Sequence, residues 1–406
     1  MKAVLAPVGT RGDVQPVVAL GQRMSGAGHD VTVAAAENFR GLVEGAGLRY
    51  VYGGRDVERE VRERGEAVAN PLTLLSYART LVEEQFEVLE KACEGADVLL
   101  GTLLLVSGPT IGERFGIPVC IASFFPGCAP NDEIPSPFSS LGRSPRWVNR
   151  ATWRMQGLVL NATLRGPVNR HRQRLGFSPV SDLVDYVQNG ATTLLATDVE
   201  LAPPPAEWNG RHRVTGFWFL DSPTPLPEDL EAFLDAGDPP VYIGFGSMPN
   251  DDPVARTEII AEACTTVGCR AIVSSGWANL GGGSLSSRIR TIGPVNHRLL
   301  FERVAATVHH GGAGTTAASA LAGVPQVMVP HIFDQFYWAA RVERLGLGPA
   351  ALPKHFRTAE LVRALRFALE DTATQERAKR MGSRLSSYSG ADRAVVLLEK
   401  LVAGAL

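Results

Sequence analysis

The run ATVHHGGAGTTAASALAGVPQVMVP, residues 306–330, carries the clearest structural punctuation in this chain. A β-rich stretch ending at His309 and His310 breaks into three closely spaced glycines, Gly311, Gly312 and Gly314. A helical pattern then opens on Thr315 and Thr316 and ends at Gly323, and a second strand runs from Val324 to Pro330. Two strands bridged by a helix are parallel neighbours in a sheet. The glycines let the backbone come close to a ligand, and the first N–H groups of the helix have no partner within it. Such a helix start is an anion site, and a nucleotide diphosphate is its commonest occupant in an α/β domain. His309 at the strand end adds a donor for a phosphate oxygen. The loop HIFDQ after the second strand opens toward the same edge, where Asp334 and Gln335 offer a carboxylate and an amide suited to vicinal sugar hydroxyls. On residues alone, a packed histidine and an N-capping aspartate are open readings of the same positions.

The same alternation extends outward in both directions. Toward the N-terminus, KAVLAP, VTVAAA, LRYVYG, DVLLGT and PVCIASF read as strands separated by helical stretches, which means a parallel sheet covered on both faces. The pattern loosens from Pro126 to Arg150 into a long loop of Pro, Gly, Ser and Asn, and residues 151–176 read as an arginine-rich helix. DSPTPLPEDL, from Asp221, is a stiff proline-rich connector, after which PPVYIGFGS restarts the alternation. The expected organisation is a first α/β domain over 1–219, a linker over 220–238, a second α/β domain over 239–390, and a last helix over 391–406 that can pack back on either domain, the N-terminal one included. Two such α/β units imply a cleft, with ligands at the carboxyl ends of the strands.

Bulk properties narrow the class. With 406 residues, 45% hydrophobic and 20% charged content and a formal net charge of -2, the chain reads as an ordinary soluble globular protein with no nucleic-acid partner. Its five cysteines are an odd number without CxxC spacing, as expected of reduced thiols in the cytoplasm. Neither a signal-peptide pattern nor a membrane-spanning run is visible, which leaves only peripheral membrane contact open.

Taken together, GTRGDVQP at 9–16, FGS at 245–247, SSGW at 274–277, IGPVNH at 292–297, HHGGAGTT at 309–316 and DQ at 334–335 resemble the nucleotide-sugar-dependent glycosyltransferases of the GT-B fold. In these, two Rossmann-like domains with parallel sheets face each other across a cleft, and the resemblance implies an N-terminal acceptor-binding domain over 1–219 and a C-terminal nucleotide-sugar donor-binding domain over 239–390. Within them the chain is most similar to the antibiotic glycosyltransferases of the glycopeptide type and to the sterol glucosyltransferases. The resemblance implies that His309 and the backbone at Gly312, Ala313, Gly314 and Thr315 hold the diphosphate of a UDP- or dTDP-sugar, with Ser247 nearby. It also implies that Val295 meets the base through its backbone, that Trp277 lies beside the nucleoside, and that Asp334 and Gln335 bind sugar hydroxyls. Such enzymes invert the anomeric centre and use neither metal nor cofactor, because the helix end neutralises the leaving diphosphate.

An inverting transfer needs a base for the acceptor hydroxyl. In the loop after the first strand Asp13 is the one candidate, since Arg11 is permanently charged and the first histidine is His29. Asp13 also reads as the N-cap of the following helix, a role that would pull its pKa down and weaken it as a base. The resemblance favours the base. Arg11 is expected to shape the loop or meet donor phosphates, and Thr10 to hydrogen-bond near donor or acceptor. Around the 126–150 loop, Phe124, Phe125, Phe138 and Trp147 are candidates to line the site of a lipophilic small-molecule acceptor, with packing as the alternative for each. The arginines of RGPVNRHRQRLG, 165–176, read as a solvated face or a contact for an anionic acceptor or lipid headgroup. A sugar-nucleotide epimerase of the same fold and a non-catalytic nucleotide-binding partner of a true transferase stay open, and product formation separates the three.

Overall fold

Short apolar strands joined by helices build two sheets in which every pair of neighbouring strands is parallel. The structure is a computed structural model that describes residues 1–56, 71–208, 210–221, 224–246, 248, 252–276, 280, 286–385 and 389–405. The candidates Ser247 and Trp277 lie outside the described residues. The chain divides into two compact units, the first formed by Met1–Ser136, Pro145–Asp221 and Ser389–Leu406, the second by Pro137–Ser144 and Ser222–Tyr388.

The first unit holds β1 (Lys2–Ala6), β2 (Asp30–Ala35), β3 (Arg49–Tyr52), β4 (Val98–Thr102), β5 (Val119–Ser123), β6 (Thr192–Leu195) and β7 (His212–Val214), in the order β3-β2-β1-β4-β5-β6-β7. Every residue of β4 and β5 is buried, as expected of central strands covered on both faces. The helices are α1 (Arg11–Gly26), α2 (Arg40–Gly45), α3 (Pro71–Ala92), α4 (Gly108–Phe115), α5 (Arg146–Arg174) and α6 (Leu183–Asn189). Along β1, Ala3 and Leu5 face one core with α1, and Val4 and Ala6 face the other with Phe86, Ile111, Leu164 and Val168. The C-terminal helix Gly390–Val402 joins the α1 face through Ala391, Ala394, Val395 and Leu398, and its Glu399 meets His29 at 2.9 Å.

Helix α5 begins earlier than the sequence suggests and runs through Pro167. A proline there cannot hydrogen-bond the carbonyl one turn back, at Thr163, and Arg79 Nε donates to that oxygen instead at 3.3 Å. The arginine run at the end of α5 is a solvated face in part, with Arg165, Arg170 and Arg174 exposed and Arg172 buried. Arg170 and His171 pair with Glu83, Arg174 with Glu90, and buried Arg172 donates to Glu113 at 3.0 Å with its guanidinium over the Tyr186 ring. These ion pairs strap α5 to its neighbours, with Arg172 buried and Arg170 and Arg174 still exposed.

The second unit holds β8 (Val241–Gly244), β9 (Ala271–Ser274), β10 (Ile289–Ile292), β11 (Ala306–His309) and β12 (Gln326–Met328), in the order β10-β9-β8-β11-β12. Its helices are α7 (Glu228–Asp235), α8 (Pro253–Val267), α9 (His297–Phe301), α10 (Ala313–Leu321), α11 (Gln335–Arg344), α12 (Thr358–Glu370) and α13 (Thr372–Leu385), and the C-terminal helix of the first unit is α14. Strand order reverses between β8 and β11 here and between β1 and β4 in the first unit. Those reversals are where open α/β sheets leave a crevice beyond the strands' carboxyl ends. Among the described residues no helix is long and apolar enough to cross a membrane.

Candidate functional site

In the second unit the switch point is built from glycine. His309 at the end of β11 pairs in register with Gly244 at the end of β8. Beyond them Gly246 and Gly311 take φ of +58° and +92°, in the left-handed region that favours glycine. Helix α10 starts here with Gly312 as a cap that offers no side chain, so the N–H groups of Ala313, Gly314 and Thr315 begin the helix without intrahelical partners. The helix lies flush on the sheet because its inner face is small: Ala317, Ala318 and Ala320 are buried, and Ser319 accepts from Thr307 at 3.0 Å. A Cβ on Gly314 would meet nothing within 4 Å, so the first turn opens on free space. Half-buried Val295 sits in the loop after β10, just before Asn296, which caps α9 by accepting from Arg298 N at 3.0 Å.

The two histidines at this point have different tasks. His309, expected to reach a phosphate, is fully buried; its Nδ1 accepts from Gly311 N at 3.1 Å and its Nε2 donates to Gln326 at 3.0 Å. Both ring nitrogens are spent on holding the turn, and burial pushes its pKa down to about 4. Nothing is left to offer a phosphate. His310 is the opposite case, with Nδ1 buried and without a hydrogen-bond partner among the described residues. Its ring fills the room left by two glycines: a Cβ on Gly246 would lie 2.8 Å from Cε1, and one on Gly312 2.5 Å from Nε2. Burial, helped by His309, His331 and His297 and opposed by the Gly244 carbonyl, lowers its pKa to about 3, so it is a neutral imidazole whose one N–H is shared between the Gly244 carbonyl and any ligand at the helix start. Sequence reasoning named His309 because both histidines sit at the strand end, where residue type alone does not tell them apart; β11 is buried along its whole length, so strand alternation does not separate them either.

The 331–335 loop bends sharply at Phe333, whose φ of +52° is an outlier for a bulky residue. Gln335 is buried and its Oε1 accepts from His331 N at 2.8 Å and Ile332 N at 3.1 Å, which fastens the loop. That oxygen is therefore not open to a sugar. Among the described residues the amide nitrogen is held by the Met248 thioether at 3.3 Å, a weak acceptor, and it keeps donor capacity. Half-buried Asp334 precedes α11 and accepts from the indole of buried Trp338 at 3.2 Å.

In the first unit the corresponding loop follows β1. Thr10, not Asp13, is the N-cap of α1, and its Oγ1 accepts from Gly12 N at 3.3 Å. Asp13 stands three residues in and reaches back, accepting from Thr10 N at 2.9 Å and Thr10 Oγ1 at 3.3 Å, a reciprocal capping box. Part of the residue reaches solvent, but the carboxylate is enclosed by its turn. Burial outweighs both hydrogen bonds and raises its pKa from 3.8 to about 6, against the lowering expected of a capping carboxylate. Exposed Arg11 bonds along its own helix to Gln15 at 2.9 Å.

Across the switch point, Thr102 ties the β4 loop to this one: its Oγ1 accepts from Val8 N at 3.0 Å and donates to Val8 O at 2.9 Å. Buried Gln85 donates to Leu104 O at 2.8 Å and accepts from Ser107 N and Oγ at 3.2 and 2.8 Å. A well-fastened loop thus holds Leu103 and Leu104 in water, 38% and 45% exposed. Sequence reasoning passed over this pair because it continues the apolar run of β4. The four aromatic candidates do not form one surface. Phe125 is buried, and Phe124 packs on the α1 core edge-on to Trp218. Phe138 belongs to the second unit, where its ring meets Phe333 at 5.4 Å, and Trp147 stands exposed at the start of α5.

The N-terminal domain model of glycosyltransferase family 28 matches residues 3–131, and the C-terminal domain model of the erythromycin biosynthesis protein CIII-like family matches residues 270–397. The chain is 35% identical over 360 residues to the vancomycin aglycone glucosyltransferase of Amycolatopsis orientalis, with 86% of each chain covered. It is 33% identical over 396 residues to a sterol 3-beta-glucosyltransferase of Arabidopsis thaliana, covering 91% of this chain and 63% of that one. Among solved structures, the glycosyltransferase of kitacinnamycin shares the fold with a TM-score of 0.74 at 20% identity, over 99% of both chains.

Proposed function

Because this chain belongs to the glycosyltransferase family of the vancomycin aglycone and sterol glucosyltransferases, we propose that it transfers a sugar from a UDP- or dTDP-sugar to a hydroxyl of a lipophilic natural-product or sterol-like acceptor. The observation that carries the donor side is the open first turn of α10, with its free N–H groups, unobstructed Gly314 and unpartnered His310 nitrogen. These groups bind the diphosphate: the N–H groups and the positive helix end take its charge, and neutral His310 donates one further hydrogen bond. The Gln335 amide N–H and Asp334 then take sugar hydroxyls, and Val295 offers its backbone to the base.

Asp13 acts as the general base. As the acceptor oxygen bonds to the anomeric carbon, Asp13 takes its proton, and the bond to the diphosphate breaks with its electron pair leaving on the phosphate. A single displacement inverts the anomeric centre. Charge on the departing diphosphate is neutralised by α10 and His310 rather than by a metal ion. A carboxyl near 6 is ionised at neutral pH yet basic enough to accept a proton in the transition state. Leu103 and Leu104, fixed beside the Asp13 loop, give an apolar acceptor a surface to displace water from.

The test is incubation of the purified protein with UDP-glucose and with dTDP-sugars against a panel of lipophilic aglycones, with mass detection. A glycosylated aglycone of opposite anomeric configuration, formed in the presence of EDTA, is the expected product. Retained configuration, EDTA-sensitive turnover, or nucleotide binding with no product from any pair would overturn the corresponding part of the reading.

A further inference from the structure

Helix α8 ends in a turn that joins two cysteines. Gly268 takes φ of +78°, in the left-handed region, and its N–H reaches back to Cys264 O at 2.9 Å and Thr265 O at 3.2 Å. Cys269 N then bonds to Cys264 O at 3.1 Å, which completes a Schellman cap. In such a cap the residue after the glycine folds its side chain back against the residue whose carbonyl it bonds, here Cys264. The Cys264 thiol accordingly donates a hydrogen bond to the Cys269 sulfur. Both pack in the core of the second unit, Cys264 buried and Cys269 half-buried at its margin. A disulfide needs Cα atoms about 4.4–6.8 Å apart, and the backbone bond between these two residues keeps them within that reach.

The two thiols differ in chemistry. The hydrogen bond from Cys264 holds Cys269 below the ordinary thiol range; burial opposes this, and its own backbone N–H and the Arg288 guanidinium help. Exposed Arg288 is fixed there by donating to Gly268 O at 3.1 Å. Cys264 is pushed the other way, by the same hydrogen bond and by burial. A half-buried sulfur with thiolate character beside a protonated, buried one is the pairing of an attacking and a resolving thiol. The other three cysteines, Cys93, Cys120 and Cys128, lie in the first unit, where burial pushes each thiol up to about 12 and leaves it unreactive.

We propose that Cys264 and Cys269 are a redox-sensitive dithiol that closes to a disulfide on reaction with a small dialkyl disulfide such as glutathione disulfide. The Cys269 thiolate attacks one sulfur of the reagent and expels a glutathione thiolate, which leaves a mixed disulfide. Cys264 then attacks the Cys269 sulfur, its proton passes to the second departing glutathione, and two protein thiols have been oxidised as one reagent disulfide is reduced. The pair precedes β9, at the end of the sheet opposite the carboxyl-end crevice, so this proposal fails or stands apart from sugar transfer. Reduced full-length protein is incubated with glutathione disulfide, blocked with iodoacetamide in denaturant and digested with trypsin, which releases both cysteines on one peptide, residues 257–270. That peptide is expected to be unalkylated and two hydrogen atoms lighter than its dithiol form, and to return to the dithiol with dithiothreitol. Cys93, Cys120 and Cys128 should all be alkylated. Cys264→Ser should keep one glutathione on Cys269, and Cys269→Ser should react at least about tenfold more slowly than the wild type. Five alkylated thiols, a glutathione left on Cys269 of the wild type, or oxidation spread over all five cysteines would overturn the proposal.

Discussion

The carboxylate of Asp13 stands where a side chain on Gly9 would have to go: a Cβ there would lie 2.1 Å from Oδ2. Gly9 also has φ of +138°, so any other residue is strained and collides with the group assigned as the base. Gly9→Ala is expected to push the carboxylate off position and lower kcat/KM by about a hundredfold. Nucleoside diphosphate affinity, proposed to reside in the second unit, should not change. Calorimetric titration with UDP or dTDP beside a turnover assay measures both.

Asp13→Asn separates base from cap. The amide can still accept from Thr10 N but takes no proton, so turnover should fall by about a hundredfold or more with α1 intact. Retained turnover would make Asp13 a helix-capping residue only. In the wild type kcat/KM should fall as pH drops through about 6. Stability has the opposite sign. With the folded-state pKa raised, Asp13 favours folding below 3.8 and loses that contribution as pH rises to about 6. Denaturation curves should therefore show Asp13→Asn gaining on the wild type across that interval.

The neighbouring histidines make a second pair of contrasts. His310→Ala should weaken nucleoside diphosphate binding roughly tenfold, the loss of one hydrogen bond to a charged group, beyond the stability cost of the cavity its ring leaves between Gly246 and Gly312. His309→Ala should instead destabilise the protein by about 1–3 kcal/mol for each buried partner left unsatisfied, which here are Gln326 and the Gly311 N–H. Equal binding losses without destabilisation in both variants would contradict the division of roles.

Gly314 tests the helix start itself. Because a Cβ there meets open space, Gly314→Ala should be tolerated, whereas Gly314→Asp keeps the fold and places a negative charge in the anion site. The aspartate suits a helix N-terminus on its own account, so the variant should be at least as stable as the wild type while losing nucleotide affinity. Unchanged affinity would remove α10 from the diphosphate site.

The parallel sheets were legible because period and punctuation agree: apolar runs such as VLLGT and VCIAS are bounded by turns, and HHGGAGTT opens a helix directly from a strand. What the residues could not show was which member of a pair faces inward. His309 and His310 are chemically identical, and only the register of β11 against β8 and β12 assigns one to the core. Gln335 looked like a sugar ligand because an amide fits hydroxyls, yet its oxygen is needed to fasten a loop bent at Phe333. The Asp13 pKa was misjudged in direction because capping geometry is local, whereas burial depends on how the whole loop closes. Phe124 and Phe125 follow the same lesson, since aromatic content near a loop does not say whether the rings line it or lie beneath it. The epimerase and silent-partner readings, open on residues alone, yield to membership in the glycosyltransferases at 35% identity over most of the chain.

Leu104 offers the sharpest test of the acceptor side. The loop that carries it is held at three points, by Thr102 to Val8, by Gln85 to Leu104 O and by Gln85 to Ser107, so its exposed side chain cannot simply fold away. Leu104→Asp adds a charge where an apolar acceptor must shed water, and being exposed it should cost little stability. The expected result is an acceptor KM raised by about tenfold or more, with UDP affinity and slow hydrolysis of the donor unchanged. Gln85→Leu should give a related but distinct effect, since it frees the loop without altering the surface chemistry: a lower kcat for all acceptors and no change in preference among them. If both variants transfer sugar as the wild type does, the lipophilic acceptor is bound elsewhere on the first unit and the Leu103–Leu104 surface has no part in its recognition.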